Sequence, residues 1–188
     1  MPAKKSAAPQ SILQLKITLK GSKPPIWRRI QVANTITLPT LHNILQVAMG
    51  WTDSHLHQFI VGNVMYSDPD FELEQIANEK RVSLPQLKLE PGMKFQYEYD
   101  FGDDWMHDIL IEKILPPEPD VHYPRCLAGK RSCPPEDCGG IWGYDSLLQT
   151  IADPNDPDYE DMREWLPEDF DPAVFDLEDV NKVLRTFS

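Results

Sequence analysis

The chain has 188 residues, 41% of them hydrophobic and 26% charged, with a formal net charge of −12; that length and composition can bury a core without a disulfide framework. Three cysteines, no basic start leading into an apolar run and no apolar stretch of membrane-spanning length argue against a secreted disulfide scaffold or a membrane span. The expectation is a reducing cytoplasm, where thiols stay free or bind metal.

Residues 1–10 read as a short disordered tail and 11–188 as a single domain. Over Ile12 to Leu19, Leu13, Leu15, Ile17 and Leu19 alternate with Gln14, Lys16 and Thr18, which predicts a half-buried strand. Gly21-Ser22-Lys23-Pro24-Pro25 turns the chain into a second strand over Ile26 to Val32. Thr37 is a predicted N-cap with Pro39 in the first turn; Leu38, Leu41, Leu45 and Ala48 recur at helical spacing, and Gly50 is the stop. A helix from Thr37 to Met49 would lay that face on the sheet. His55 to Val61 and Val64 to Tyr66, joined by Gly62-Asn63, predict a second hairpin.

An irregular stretch opens at Asp68, and Val82 to Leu89 reads as a short helix or turn. Met93, Phe95, Tyr97, Tyr99 and Phe101 then alternate with Lys94, Gln96, Glu98 and Asp100, the clearest strand in the chain. Gly102-Asp103-Asp104 turns it into a partner strand, Trp105 to Leu115, at the centre of the sheet. Pro116 to Gly143 shows no sustained period and holds all three cysteines. A loop of that length in a compact domain is functional or pinned by something. Helices are expected over Ser146–Ala152, Pro157–Leu166 and Asp176–Phe187. The predicted class is α+β: a mainly antiparallel sheet of five or six strands, one helix packed across it in a β-grasp-like order, and a carboxyl-terminal helical appendage. It divides into a sheet-rich part (11–115), a cysteine loop (116–143) and a helical part (144–188).

Three constellations carry chemistry. Cys126, Cys133 and Cys138 lie within thirteen residues on a loop shaped by Gly and Pro, and can converge on one structural zinc given a fourth ligand from His107, His122 or Asp137; free thiols are the alternative. Asp100, Asp103, Asp104, His107 and Asp108 surround the central turn and suit a hard divalent cation, although Gly-Asp-Asp is ordinary turn chemistry and His107 shares an apolar face with Trp105, Ile109 and Ile111. Arg28 and Arg29 form either a phosphate- or carboxylate-binding fork or a surface arginine beside a core tryptophan, Trp27. His55 and His57 share a strand face and read as surface residues. No phosphate-binding P-loop, dinucleotide fingerprint, H-E-x-x-H or nucleophile elbow is present, so no catalytic residue is assigned.

Several strings together are distinctive: Pro25-Ile26-Trp27-Arg28-Arg29-Ile30; Tyr97-Glu98-Tyr99-Asp100-Phe101-Gly102-Asp103-Asp104-Trp105 with His107; Cys126-Leu127 with Gly129; Cys133-Pro134-Pro135-Glu136-Asp137-Cys138-Gly139-Gly140; Gly143-Tyr144; Ala152-Asp153-Pro154; and Phe170-Asp171-Pro172 through Asn181. With these the chain resembles the plasmid pRiA4b ORF-3-like family from about Ser11 to Leu184. The resemblance implies an α+β domain of bacteria and archaea, found on chromosomes, on plasmids and as a passenger of insertion elements. It places His107 and the three cysteines among the signature positions, leaves His122 outside them, and supplies no activity.

Charge frames the functional expectations. Residues 1–35 hold seven Lys/Arg and no acid, whereas 145–188 hold thirteen Asp/Glu against three Lys/Arg. The leading expectation is a non-enzymatic binding or accessory module that engages a basic protein partner through its acidic end. The alternatives are a zinc-dependent hydrolytic enzyme and a mobile-element accessory that touches DNA through Lys16, Lys20, Lys23, Arg28 and Arg29, against the charge of the whole chain.

Overall fold

The computed structural model describes residues 11–187; the expected tail at 1–10 lies outside them. One eight-stranded sheet runs through the molecule, built from β1 (Ile12–Leu19), β2 (Trp27–Ala33), β3 (His57–Val61), β4 (Val64–Ser67), β5 (Ala77–Asn78), β6 (Lys94–Tyr99), β7 (Trp105–Leu115) and β8 (Arg125–Lys130). Their order across the sheet is β5-β4-β3-β6-β7-β1-β2-β8. Every pairing is antiparallel except that of β4 with β5. Among the described residues four α-helices accompany it: α1 (Leu38–Met49), α2 (Gly140–Ala152), α3 (Tyr159–Trp165) and α4 (Leu177–Leu184).

The core lies on one face of the sheet. Leu15, Ile17 and Leu19 of β1, Phe95, Tyr97 and Tyr99 of β6, and Trp105, His107, Ile109 and Ile111 of β7 all point into it, as their alternation predicts. Helix α1 covers them with Leu38, Leu41, Ile44, Leu45 and Ala48. Its ends are set by chemistry legible in the sequence. The Thr37 hydroxyl accepts from Thr40 N, and the Gly50 N–H donates to Gln46 O at 2.8 Å. On the opposite face a bulge between Gln14 and Leu15 leaves Glu112 facing outward. There it meets Arg29 in two bonds of 2.7 and 2.8 Å and accepts from Gln14.

The sheet has eight strands rather than the five or six expected, and two of them lie in stretches read as irregular. One is β5, only two residues long and paired in parallel with β4. The other is β8, inside the stretch read as an aperiodic loop. It forms the far edge beside β2, and α4 lies along it: Asn181 Oδ1 accepts from Cys126 N at 2.8 Å and Asn181 Nδ2 donates to Cys126 O at 2.9 Å. The same stretch ends early, because α2 begins at Gly140 rather than Ser146. The glycines there permit close approach rather than break the helix. A Cβ on Gly140 would lie 2.4 Å from Asp103 O, and one on Gly143 1.9 Å from Cys138 O.

Candidate functional site

The β6–β7 turn and the Cys133–Gly140 string are distant in sequence and form one block in space. Asp100 and Asp104 bend the turn in left-handed conformation. Asp100 Oδ1 accepts from Gly102 N at 2.9 Å and Asp103 N at 3.3 Å, while Asp103 Oδ2 accepts from Gly139 N at 3.1 Å. The segment after α1 closes the third side. Trp51 Nε1 donates to Pro134 O at 3.1 Å, and Thr52 N donates to Glu136 Oε1 at 2.8 Å. The Tyr99 hydroxyl donates to Glu136 at 3.1 Å and accepts from Ser54 N at 2.9 Å. Burial, and then the charge of Glu136, holds that phenol well above its ordinary pKa, so it stays a neutral donor.

His55 stands at the middle of this block. Its Nε2 lies 3.2 Å from Asp137 Oδ1, 3.3 Å from Glu136 Oε2 and 3.6 Å from Asp100 Oδ2. That nitrogen is closed off from solvent and makes no hydrogen bond. Donor atoms of His55, Asp100 and Asp137 all fall within 4.8 Å of one another. Asp137, like Asp100, is held at positive φ, a strain that persists only where the surroundings enforce it. One imidazole nitrogen and two carboxylates, with Glu136 beside them, suit a first-row divalent cation such as manganese, iron or zinc.

A second polar cluster lies deeper, behind the same segment. The rings of His42 (α1) and His57 (β3) stack at 3.5 Å with an interplanar angle of 9°. Both histidines are 4% exposed and Glu79 is 1% exposed. His42 Nδ1 is 2.8 Å from the Tyr97 hydroxyl, which also accepts from Gln46 Nε2 at 2.9 Å, and His42 Nε2 is 2.8 Å from Asp53 Oδ1. His57 Nε2 meets both oxygens of Glu79 at 3.1 and 3.2 Å, while its Nδ1 is buried without a partner. Burial, and next the neighbouring His57, lowers the pKa of His42.

The reading of His55 and His57 as a surface pair is therefore corrected. Strand β3 starts only at His57, so His55 belongs to the preceding loop, and the two side chains enter different clusters. One available signal was the pair His42 and Gln46, polar at i, i+4 on the apolar face of α1.

The other candidate residues are distributed as follows. His107 is fully buried, its Nδ1 3.2 Å from Tyr97 O and its Nε2 without a partner; burial drives its pKa down to about 4. Cys126, Cys133 and Cys138 are free thiols. Burial raises Cys126 to about 11, Cys138 to about 12 and Cys133 further. Among the described residues, no three donors from Cys126, Cys133, Cys138 and His107 come within 4.8 Å of one another. Asp103 bridges to the cysteine string, and Asp104 is exposed.

Arg28 and Trp27 exchange the places expected of them. Arg28 is 1% exposed and Trp27 lies on the outer face, flanked by Lys16 and Arg29. Arg28 donates to the carbonyls of Ala48, Trp27 and Lys130 at 2.7, 2.9 and 3.0 Å and stacks 3.9 Å from the Phe175 ring. It joins the carboxyl end of α1 to β2 and β8. Beyond the His55 block, a cavity of about 330 Å³ opens between α2 and α3, bounded by Leu147, Met162, Trp165, Asp137 and Asp158. Among the described residues no helix is long and apolar enough to cross a membrane.

Comparison with known proteins agrees with this architecture. Residues 11–179 match the sequence pattern of the family described as Plasmid pRiA4b ORF-3-like protein. The chain is 40% identical over 177 residues to "Uncharacterized protein y4hQ" of Sinorhizobium fredii (strain NBRC 101917 / NGR234), covering 93% of this chain and 91% of that protein. Among solved structures it is similar to the crystal structure of the protein of unknown function MM3350 from Methanosarcina mazei Go1. That likeness has a TM-score of 0.82 and 39% identity, over 92% of this chain and 98% of the other. This chain belongs to the plasmid pRiA4b ORF-3-like family.

Proposed function

We propose that the domain is a cation-dependent binding module whose centre is His55, Asp100, Glu136 and Asp137. The observation that carries this reading is His55 Nε2, shut off from water, without a hydrogen bond, and within 3.6 Å of three carboxylate oxygens. A proton satisfies one of those oxygens; a divalent cation satisfies those of Asp100 and Asp137 together and uses the bare nitrogen as a ligand. Three protein ligands from three segments, His55, Asp100 and Asp137, with Glu136 beside them, leave positions open for an oxygen donor from a partner. This hard-donor site is an alternative to the structural zinc expected on the cysteines; it includes Asp100, a candidate of the sequence reading, and has His55 where His107 was expected.

The test is elemental analysis of untagged protein after equilibration with manganese or zinc, beside His55→Ala and Asp100→Asn. Bound metal that falls in both variants supports the reading. Metal retained at the wild-type level in both variants sinks it.

A second reading concerns the partner. The α2–α3 cavity joins Trp165 and Met162 to Asp137 and Asp158, and Trp142 on the same helical end is 85% exposed. Carboxylates beside aromatic rings suit a lysine or arginine side chain, in keeping with the acidic balance of residues 145–188. Binding of a lysine-rich peptide should weaken as salt rises and fall in Trp165→Ala; salt-independent binding would count against it. The DNA reading loses one of its five cations, since Arg28 is held inside.

A further inference from the structure

We infer that the face of the sheet opposite α1, across β7, β1, β2 and β8, binds single-stranded nucleic acid. Trp27 is its stacking surface, and Lys16, Lys113 and Lys130 take the phosphates. The strand registers put these four side chains in line. Gln14 is opposite Lys113, Thr18 is opposite Trp27, and Trp27 is opposite Lys130; Lys16 stands between Gln14 and Thr18 on β1. Residues opposite one another share a face of the sheet, and so do residues two apart along a strand. The line from Lys113 through Lys16 and Trp27 to Lys130 therefore crosses four strands obliquely, in steps of about 5–8 Å set by strand spacing and rise.

The charge of this face is opposite to that of the chain. Its outward positions carry five cations, Lys16, Arg29, Lys113, Arg125 and Lys130, against two acids, Asp108 and Glu112, in a chain of net charge −12. Glu112 is engaged by Arg29, and Arg125 by Glu118. Among the described residues Lys16, Lys113 and Lys130 enter no salt bridge. Lys113 and Lys130 are exposed, and Lys16 and Trp27 are half-buried. Unpaired ammonium groups gathered on one face repel one another, and a polyanion relieves that repulsion. Arg28, turned into the core, takes no part.

Trp27 decides among polyanions. Lys16 Nζ and the Arg29 guanidinium each lie 5.3 Å from the centre of its ring. A base stacks on an indole while the adjoining phosphates reach the cations beside it; the carboxylates of an acidic peptide have no ring to offer it. The face is a broad sheet, not the helix or two-stranded ribbon that enters a major groove, and the bases of a duplex are already stacked on one another. The negative charge of the whole chain opposes approach, so binding is tightest at low salt.

The experiment measures binding of a short labelled oligothymidylate, and of the matching oligouridylate, by fluorescence anisotropy from low to moderate salt. A chelator is present throughout, so that cation binding at His55 plays no part. Wild type stands beside Trp27→Leu and the double variant Lys16→Gln with Lys130→Gln. The expected result is an affinity that falls as salt rises, with a logarithmic slope shallower by roughly 0.7 for each lysine removed. Trp27→Leu should weaken binding by about tenfold and keep the slope. Lys16 and Lys130 stand on the solvent face, so the double variant should fold like wild type by circular dichroism and decides the question even if Trp27→Leu does not fold. No binding of either oligonucleotide at low salt overturns the inference, as does binding that the double variant leaves unchanged. Polyglutamate of matched charge that competes as well as the oligonucleotide assigns the face to an acidic protein and overturns it too. So does a duplex that binds as tightly as the single strand.

Discussion

The side-chain amide of Asn181 exchanges two hydrogen bonds with the backbone of Cys126, accepting at 2.8 Å and donating at 2.9 Å. It occupies the place a neighbouring strand would take at the β8 edge, and Nδ2 also donates to Leu177 O within α4. Asn181→Ala leaves a part-buried N–H and carbonyl without partners and should cost about 1–3 kcal/mol in urea unfolding. Asn181→Asp keeps the acceptor but loses the donor, and should fall between Ala and wild type. Equal stability of all three would show that water replaces the amide at no cost.

Arg28 offers a second test. Its guanidinium serves three carbonyls and no carboxylate. Arg28→Ala should destabilise by roughly 3 kcal/mol or more, at about 1 kcal/mol or more for each carbonyl left without its donor. Arg28→Lys keeps the charge but not the planar fork or the stack on Phe175, and should recover only part of the loss. Full rescue by lysine in thermal or urea unfolding would mean that charge alone matters.

His107 makes stability depend on acidity with a definite sign. Its folded pKa of about 4 lies below the ordinary histidine value near 6.5. Between those values the unfolded chain binds a proton that the folded chain refuses. The stabilisation is thus complete above about pH 6.5 and is lost as pH falls toward 4. The full amount is on the order of 3 kcal/mol; His42, shifted the same way, adds to it. Urea midpoints from pH 7 down to 4 should fall steeply in wild type and less so in His107→Gln. Parallel slopes would refute the assignment.

The thiols should be inert in the folded protein. With Cys126 raised to about 11, roughly one thiol in a thousand is thiolate at pH 8. Cys133 and Cys138 are raised as well. Ellman's reagent should react slowly with native protein and release three equivalents in denaturant. A rapid native phase would reveal an activated cysteine that burial does not account for.

Gly140→Ala should separate the two strings that build the outer centre, because its Cβ would lie 2.4 Å from the Asp103 carbonyl, a backbone atom with nowhere to go. We expect a loss of stability together with weaker cation binding at His55, measured on the same protein by urea unfolding and metal titration. A variant that unfolds like wild type would mean that the turn and α2 can part without cost.

What was legible in the sequence is what local chemistry decides. Alternation marked β1, β6 and β7, and Thr37 and Gly50 marked the ends of α1, because each depends on residues only a few positions away. Strand β8 escaped because its outer edge is satisfied by Asn181, fifty-five residues later, rather than by a pattern of its own. Asp100 was legible as a turn residue and as a candidate carboxylate for a cation. Its histidine was sought at His107, seven positions on, but the chain brings His55 from forty-five positions earlier, through the hydrogen bonds of Trp51 and Thr52 to the Cys133–Gly140 string. The inner pair was illegible for a similar reason: Asp53 and Glu79 come from irregular segments with no period to read.

Five consecutive residues, Asp53 to His57, supply donors to two clusters: Asp53 and His57 to the inner, His55 to the outer. Each of the three must reach a fixed partner, Asp53 the ring of His42, His55 the carboxylate of Asp137 and His57 that of Glu79. Adding or removing one residue here would carry at least one of them out of reach and so disturb a cluster. Most of this segment is loop, where changes of length are ordinarily tolerated, yet its spacing should be as invariant among relatives as that of a core strand. Length variation should collect instead in stretches such as 116–124, which serve neither cluster.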